Sequence, residues 1–337
     1  NKLMRSMDQG ETWTAISNDL TGGGKKGDVP FGTLATISES PYQFGYLYTG
    51  SDDGKIYRTK DGGGSWTNIG EKLPQDLWVS RIIASQHAKD RVYLSLNGYR
   101  QDDFTPYIYV SENSGESWKS ISSNLPLAAV NVIREDPNNE NILYLGTDNG
   151  LYISLNRGES WDAFSTNFPN VPVHDLRIHK EERDLIVGTH GRSIYIADVA
   201  AISEMKKENL KDALSLSTEE SIRFSPRWGN SYSKWRDPYQ PTIDFTFYSA
   251  KAGKVSITIE STSGVVLQKI DMDAEKGFNT GEYDLTITSD AAQNLEKENK
   301  DTTSSKADNG LYYIPKGKYK MVLKLNGKTA EEKFEVK

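Results

Sequence analysis

A motif repeated four times dominates the first half of the sequence. Its pattern is [ST]-x-[DN]-x-G-x-[ST]-W, and successive tryptophans are 53, 52 and 43 residues apart. A period of roughly 40 to 50 residues made of short strands is typical of the blades of a β-propeller. The acidic or amide residue, the glycine and the tryptophan of the four copies are Asp8, Gly10 and Trp13; Asp61, Gly63 and Trp66; Asn113, Gly115 and Trp118; and Asn156, Gly158 and Trp161.

The chemistry of the motif predicts a structural turn. An Asp or Asn side chain is short enough to accept hydrogen bonds from backbone N–H groups a few residues further on. The glycine two positions later tolerates a positive φ, and the tryptophan can pack its ring beneath the loop. Two copies carry Asn, which cannot do acid–base work. We therefore expect these twelve residues to shape a hairpin between the third and fourth strands of each unit, and we expect no catalytic role for them.

The flanks of the motif extend the repeat to whole units of four strands. Residues 1–20 supply only a third and a fourth strand, three complete units follow, and the last unit has three strands but no motif. We therefore predict an all-β fold in which residues 1–198 form about four to five blades of a partial propeller. The remaining blades of the same propeller are the first expected partner, on another fragment or chain.

The tail of the chain has a different pattern. Residues 199–241 read as a helical and irregular connector, and residues 242–337 alternate apolar and polar positions with the period of a β-strand. Six or seven short strands at this spacing predict an Ig-like β-sandwich. The polar stretch from Ser289 to Asn309 is expected to be a loop between strands.

The motif copies resemble those of Asp-box, or BNR-repeat, β-propeller proteins. The chain is more closely similar to the sortilin-like "glycosyl hydrolase" BNR-repeat proteins of Bacteroidetes, whose closing propeller strands the segment from Val187 to Asp198 resembles. The segment from Pro315 to Tyr319 resembles the entry to a late strand in fibronectin-like and flagellar-hook-cap-like modules. The resemblance implies a propeller followed by such a module, in an extracellular, periplasmic or outer-membrane-associated protein.

Composition narrows the classes of function. The net charge of −7 disfavours nucleic acid as a partner, because phosphate binding needs a basic surface. The absence of cysteine excludes disulfides and thiolate ligands, and the four histidines fall in no metal-binding motif, so we expect no metal and no cofactor. No stretch approaches the roughly 18 apolar residues of a transmembrane helix.

Two segments are candidates for contact with a ligand. The second complete unit carries an insertion with aromatic, basic and acidic side chains, which are suited to stacking on sugars or peptides. A glycine-flanked turn near the end of the repeats carries a histidine and an arginine. The candidate residues are Tyr99, Arg100, Asp102, Asp103, Tyr107, His190 and Arg192.

Three functions fit these features. The first is a non-catalytic secreted or cell-envelope propeller that binds protein or glycan as part of a larger surface or secretion-related assembly. The second is a glycoside hydrolase of sialidase or xyloglucanase type, with part of its catalytic set outside this chain. Such an enzyme needs two carboxylates flanking the bond, and no spacing in the sequence identifies a pair. The third is a sortilin-like receptor for peptides.

Overall fold

The computed structural model describes residues 1–23, 32–164, 168–203, 214–231, 233, 235–298 and 306–337. The chain divides into two compact units, residues 1–207 and residues 208–337. Each unit is described by itself.

The described part of the first unit consists of five antiparallel sheets, which follow one another along the chain. Sheet 1 has two strands, β1 (Met4–Arg5) and β2 (Thr14–Ala15). Sheet 2 contains β3 (Leu34–Glu39), β4 (Leu47–Ser51), β5 (Ile56–Thr59) and β6 (Thr67–Asn68). Sheet 3 contains β7 (Trp78–Ala84), β8 (Val92–Gly98), β9 (Asp103–Ser111) and β10 (Lys119–Ser120), with a 3-10 turn at Tyr99–Gln101. Sheet 4 contains β11 (Val130–Glu135), β12 (Leu143–Thr147), β13 (Gly150–Ser154) and β14 (Asp162–Ala163). Sheet 5 has β15 (Val173–Ile178), β16 (Asp184–Thr189) and β17 (Ile194–Asp198), followed by the short helix α1 (Ala200–Ser203).

The sheets converge on their first strands. Strand β3 contacts β7, β7 contacts β11, and β11 contacts β15, as the inner strands of neighbouring propeller blades do. Each of these inner strands carries a register shift near its start, and such a bulge redirects the side chains that follow it. The apolar core fills the spaces between sheets, and Ile82, Leu94 and Ile133 are fully buried there. The predicted propeller blades are confirmed, with a two-stranded sheet first and a three-stranded sheet last among the described residues of this unit.

The described part of the second unit contains two larger sheets and one helix. Strands β18 (Leu214–Thr218), β20 (Ile243–Ser249) and β23 (Gly277–Tyr283) form one sheet. Strands β19 (Ser221–Ile222), β27 (Lys328–Val336), β26 (Gly317–Leu325), β21 (Gly253–Ser261) and β22 (Val266–Ala274) form the other. A short pair, β24 (Thr286–Ile287) and β25 (Tyr312–Tyr313), lies beside helix α2 (Ser289–Glu298). Phe245 and Phe247 of the first sheet share one buried core with Ile257 and Met321 of the second.

Two sequence-based expectations differ from the structure here. Residues 214–218, which we placed in the connector, pair with β20 and therefore belong to the second unit. The expected loop from Ser289 begins with helix α2, because Thr288 caps it through a 3.2 Å hydrogen bond from the Ala291 N–H, and Ala291 and Ala292 are buried. Residues 204–213 of the expected connector and residues 299–305 of the expected loop lie outside the described residues.

Candidate functional site

The four Asp-box turns have one geometry. In every copy the Oδ1 atom of the Asp or Asn accepts a 2.9 Å hydrogen bond from the backbone N–H four residues later. The glycine N–H donates to the hydroxyl that opens the box, at 2.7 to 3.0 Å. The residue between the Asp or Asn and the glycine has a positive φ in all four copies, namely Gln9, Gly62, Ser114 and Arg157. Each box closes the turn between the third and fourth strands of a sheet, or between β1 and β2 in sheet 1.

Asp and Asn are interchangeable in this turn because the last hydroxyl of the box can reverse its role. The Ser65 hydroxyl donates to Asp61 Oδ2 at 2.7 Å, whereas the Ser117 hydroxyl accepts from Asn113 Nδ2 at 3.0 Å. The hydrogen bond from the Thr12 hydroxyl, followed by the one from its backbone N–H, lowers the pKa of Asp8 to about 2. The box carboxylates are therefore held ionised by their own turns, which suits a structural role.

In the insertion of sheet 3, Asp103 and Tyr107 are held by a hydrogen bond, whereas Tyr99 and Asp102 are exposed. Asp103 accepts a 2.8 Å hydrogen bond from the Tyr107 hydroxyl, so these two candidates fasten the start and the middle of β9 to each other. Tyr99 is 59% exposed and meets Phe104 edge to face. Arg100 lies over the Trp78 ring, with 5.4 Å from its guanidinium carbon to the ring centroid. Its Nη1 atom is 4.0 Å from the Asp52 carboxylate. Asp102 is exposed and ends the 3-10 turn with a φ of 55°.

The other two candidates lie on sheet 5. The His190 ring is 5.1 Å from the His174 ring, centroid to centroid, and both side chains are exposed. Arg192 is exposed in the same turn between β16 and β17 as His190. Within the described residues, no hydrogen bond or ion pair joins His190 or Arg192 to the insertion of sheet 3. The structure therefore does not gather the seven candidates into one cluster.

A row of buried amide side chains is hydrogen-bonded to the backbone at the start of the insertion. Asn97 Nδ2 donates to Asn131 Oδ1 at 2.8 Å, and Asn131 Nδ2 donates to Asp148 Oδ1 at 2.8 Å. The Asn97 Oδ1 atom accepts from the Tyr99 N–H at 2.9 Å, which fixes the start of the 3-10 turn. Because Asn97 and Asn131 are 3% and 5% exposed, the row ties sheet 3 rigidly to sheet 4.

A second group of charged residues, which the sequence analysis missed, lies on the inner strands themselves. Arg81 on β7 donates to Asp175 Oδ1 on β15 at 2.8 Å, and Arg134 on β11 donates to the same oxygen at 3.2 Å. Arg134 also donates through Nε to the Leu176 carbonyl at 2.7 Å. Arg177, also on β15, is exposed and close enough to affect both arginines electrostatically. We call Arg81, Arg134, Asp175 and Arg177 the arginine-rich cluster.

The arginine-rich cluster carries more positive charge than its own carboxylate can balance. The side chains of Arg81 and Arg134 are only 22% and 12% exposed. Burial, then the charges of Arg81 and Arg177, lowers the pKa of Arg134 to about 10, and burial also lowers the pKa of Arg81. The Arg81 Nε atom is buried without a hydrogen-bond partner. Such an arrangement retains donors and charge for an oxyanion from outside, such as a carboxylate or a sulfate.

Another cluster of charged residues contains more carboxylates than arginines. Arg91, whose side chain is 7% exposed, donates to Glu112 and to Glu140 at 3.0 Å and lies 3.8 Å from Glu135. Glu135 also accepts hydrogen bonds from the Ser85 hydroxyl and the Gln86 N–H, both at 2.8 Å. Burial raises the pKa of Glu135. This carboxylate-rich cluster joins sheets 3 and 4.

A metal-binding group and a membrane-spanning helix are both absent from the described residues. No group of three or more His, Asp or Glu side chains there could hold a metal ion. No helix there is long and apolar enough to cross a membrane.

Comparison with known proteins relates the chain to one family. The Sortilin-Vps10 family model, described as "Sortilin, neurotensin receptor 3", matches residues 106–226, a span that includes Arg134, Asp175 and Arg177. The sequence matches no curated protein.

Solved structures that the chain resembles include longer proteins. An ancestral GH74 enzyme is 15% identical, with a TM-score of 0.46, over 86% of this chain and 36% of its own. The GH74 xyloglucanase from Xanthomonas campestris is 11% identical, with a TM-score of 0.46, over 97% of this chain and 50% of its own. The extracellular domain of a hybrid two-component system from B. thetaiotaomicron is 16% identical, with a TM-score of 0.43, over 75% of this chain and 30% of its own. The chain thus spans between about a third and a half of the length of these proteins. Its four box turns and its convergent sheets are those of an Asp-box, or BNR-type, β-propeller fold, and the Sortilin-Vps10 family model matches part of the chain.

Proposed function

We propose that this chain is the binding part of a non-catalytic, secreted or cell-envelope β-propeller, and that an anionic protein or glycan binds against its inner strands. The observation that carries the proposal is the arginine-rich cluster, in which Arg81 and Arg134 share the single carboxylate of Asp175. The cluster supplies charge and hydrogen-bond donors. Its one carboxylate is already ion-paired, so the cluster suits binding better than proton transfer.

Placement on rigid elements supports a recognition role. Arg81, Arg134 and Arg177 stand on three adjacent inner strands and not on loops, so the backbone fixes their separations. The row from Asn97 to Asp148 and the Arg100–Trp78 contact hold neighbouring side chains of sheets 3 and 4 in place. A preorganised group of donors loses little conformational entropy when a ligand arrives.

The family match favours a peptide among the anionic ligands. The description of the matched family names a neurotensin receptor. Arg134, Asp175 and Arg177 fall within the matched span. We therefore propose that the ligand is a peptide segment that presents a carboxylate, with acidic glycans as the next class to examine.

The test is direct binding to the full chain by fluorescence anisotropy. The probes are a labelled peptide with a terminal carboxylate, the same peptide amidated, and a labelled polyuronate. We expect the carboxylate peptide to bind, and we expect Arg81→Gln and Arg134→Gln each to weaken it about tenfold, the cost of one charge-assisted hydrogen bond. Arg236→Ala, at an exposed arginine of the second unit, is the matched control and should bind like the wild type.

Three results would contradict the proposal. One is equal binding of the amidated and carboxylate peptides without any loss in the arginine variants. A second is cleavage of the polyuronate, or of a neutral glycan, by the full chain, which would favour the glycoside hydrolase. A third is the absence of any binding that depends on Arg81 or Arg134.

A further inference from the structure

Strands β1, β5 and β9 occupy equivalent places, each just before a box, and they differ at one position. Arg5, Arg58 and Val110 hold this position. Each of the three pairs across its sheet with the residue that directly follows the tryptophan of its own box. The difference between these strands is therefore one of side chain and not of register.

In the first two sheets the arginine at this position contacts the box of the next sheet. Arg58 donates to the Ser114 carbonyl at 2.8 Å, and its Nη1 atom lies 3.8 Å from the Glu116 carboxylate. Arg5 donates to the Gly62 carbonyl at 3.4 Å. Each acceptor is the residue that follows the Asp or Asn of its box, so a guanidinium group occupies the same place in both contacts.

Val110 has no donor for this contact, and it lines a cavity of about 790 Å³ between sheets 3 and 4. Arg157 and Glu159 of the fourth box line the same cavity. Because the four boxes share one geometry, the Arg157 carbonyl takes the place of the Ser114 carbonyl. Glu159 takes the place of Glu116 in the same way. The carbonyl and the carboxylate of an arginine site are present here, but the arginine is not.

Other groups in this cavity are compatible with a guanidinium ligand. The Tyr93 hydroxyl lines it and is buried without a hydrogen-bond partner among the described residues. The Arg157 guanidinium lies 3.5 Å from Glu140, and the Glu112 carboxylate accepts from Arg91. The charges of Arg157 and Glu112 are therefore already paired.

Among the described residues, Glu159 and Lys119 are the charged side chains of the cavity that form no ion pair. Lys119 pairs with Val110 across the sheet, so the two side chains emerge on the same face. The Lys119 amine repels a cation that enters the cavity, whereas Glu159 attracts it. These two residues therefore have opposite expected effects on one ligand.

We propose that this cavity binds an arginine side chain of a partner polypeptide. The guanidinium group donates to the Arg157 carbonyl and to the Tyr93 hydroxyl, and it pairs with Glu159. Arg58 makes the equivalent carbonyl and carboxylate contacts between sheets 2 and 3. A planar guanidinium has five donors in a fixed arrangement, which suits separate acceptors better than a lysine amine does. The cavity volume is within the range of roughly 300 to 1,000 Å³ that ligand pockets have.

The test is an NMR titration of the isotope-labelled full chain with three short peptides. Each peptide is acetylated and amidated and has glycines around one central residue, which is arginine, lysine or citrulline. Citrulline has the shape of arginine without its charge. None of the peptides has a carboxylate, so they do not report on the ligand proposed for the arginine-rich cluster. The readouts are the shifts of the Gly158 N–H and the Trp118 indole N–H, because both residues line the cavity.

We expect the arginine peptide to shift both signals and to bind about tenfold more tightly than the citrulline peptide, because its hydrogen bonds are charge-assisted. The lysine peptide should fall between the two. Glu159→Gln should weaken binding of the arginine peptide by up to about fivefold, the value of an exposed ion pair. Lys119→Ser should strengthen it.

Val110→Arg supplies the missing side chain from within the chain. It should abolish the shifts caused by the arginine peptide and raise the midpoint of thermal unfolding. Val110→Leu is the matched control and should bind the peptide like the wild type.

Equal binding of the arginine and citrulline peptides would overturn the proposal, as would arginine binding that persists in a folded Val110→Arg variant. Glu159 and Lys119 are exposed, so their variants should fold even if Val110→Arg does not. Unchanged affinity in both of these variants would also overturn it. So would the absence of any shift with the arginine peptide.

Discussion

The two charged clusters of the propeller unit have opposite composition. The carboxylate-rich cluster surrounds one arginine, Arg91, with Glu112, Glu135 and Glu140. In the arginine-rich cluster Arg81 and Arg134 pair with one carboxylate, Asp175, and Arg177 adds a third positive charge close to both arginines. Both span neighbouring sheets, but Arg91 and Glu135 of the first are buried, whereas Arg81 and Arg134 of the second are half-buried. Their balance of charge and hydrogen bonds differs, and so do their expected roles.

The difference shows how to separate a structural ion cluster from a binding site. Arg91 is buried and donates through its Nε and Nη1 atoms to Glu112 and Glu140, while Glu135 has its own hydrogen bonds from Ser85 and Gln86. In the arginine-rich cluster a buried Nε lacks a partner and like charges lie side by side. An unpartnered buried donor and adjacent like charges lower the stability of a fold. Unpartnered donors and side chains with shifted pKa values are concentrated at functional sites.

The largest expected effect is at Arg91. Arg91→Met should lower the free energy of unfolding by about 3 to 5 kcal/mol, because it leaves the buried Glu135 carboxylate without its cation. Chemical denaturation followed by circular dichroism measures the change. Arg81→Met is the matched variant and should cost much less. Equal losses in the two variants would erase the distinction between the clusters.

A smaller effect is expected at Asp175. Asp175→Asn should lower the free energy of unfolding by about 1 to 2 kcal/mol, since it removes a charge-assisted acceptor from Arg81 and Arg134. It should also raise the affinity for an anionic ligand, because the internal carboxylate no longer competes for the two guanidinium groups. Calorimetric titration with the carboxylate peptide checks the second part. A loss of affinity would show that Asp175 positions the arginines for the ligand.

A still smaller effect is expected at Arg134. Arg134→Gln should change the free energy of unfolding by no more than about 1 kcal/mol, because relief of the burial penalty and of repulsion from Arg81 offsets the lost hydrogen bonds. Ligand affinity should fall in the same variant. Thermal unfolding and binding measured on one preparation separate the two effects. A destabilisation as large as that of Arg91→Met would mean that Arg134 is a structural residue.

The repeat made the propeller predictable, because its signal is local and occurs four times. Hydrogen bonds within eight residues fix each box, so sequence spacing alone locates the turns at Asp8, Asp61, Asn113 and Asn156. Helix α2 was missed because its apolar face consists of two alanines and one leucine within a charged stretch, too weak a pattern to outweigh the polar composition.

The arginine-rich cluster was harder to predict because three sheets contribute to it. Arg81 and Asp175 are 94 residues apart, and no local pattern links them. One signal was present: Arg134 and Arg177 occupy the same register position on the inner strands of successive sheets. The candidates chosen from the sequence came from conspicuous loops, and a search of equivalent inner-strand positions would have found these two arginines.

The smallest expected effect is a difference between Glu140 and Glu135, both in the carboxylate-rich cluster, in how each makes the stability of the fold depend on pH. The hydrogen bond from Arg91 holds the pKa of Glu140 below its ordinary value of 4.5, whereas burial raises the pKa of Glu135. A lowered folded-state pKa gives stability that is present above the unfolded pKa and is lost as the pH falls through the folded pKa. A raised one acts in the opposite direction, because the folded state then takes up its proton first.

Glu140→Gln should therefore flatten the loss of stability below about pH 4.5, by less than about 1 kcal/mol because Glu140 is partly exposed. Glu135→Gln should make the loss of stability at low pH steeper, when the free energy of unfolding of this variant at each pH is compared with that of the same variant at neutral pH. The exposed Glu159, which forms no ion pair among the described residues, provides the control variant Glu159→Gln. Urea denaturation at several pH values measures the slopes. If Glu140→Gln and Glu159→Gln gave the same slope, the Arg91–Glu140 contact would contribute no more than a surface charge, and Glu112 and Glu135 would remain as the partners of the buried Arg91.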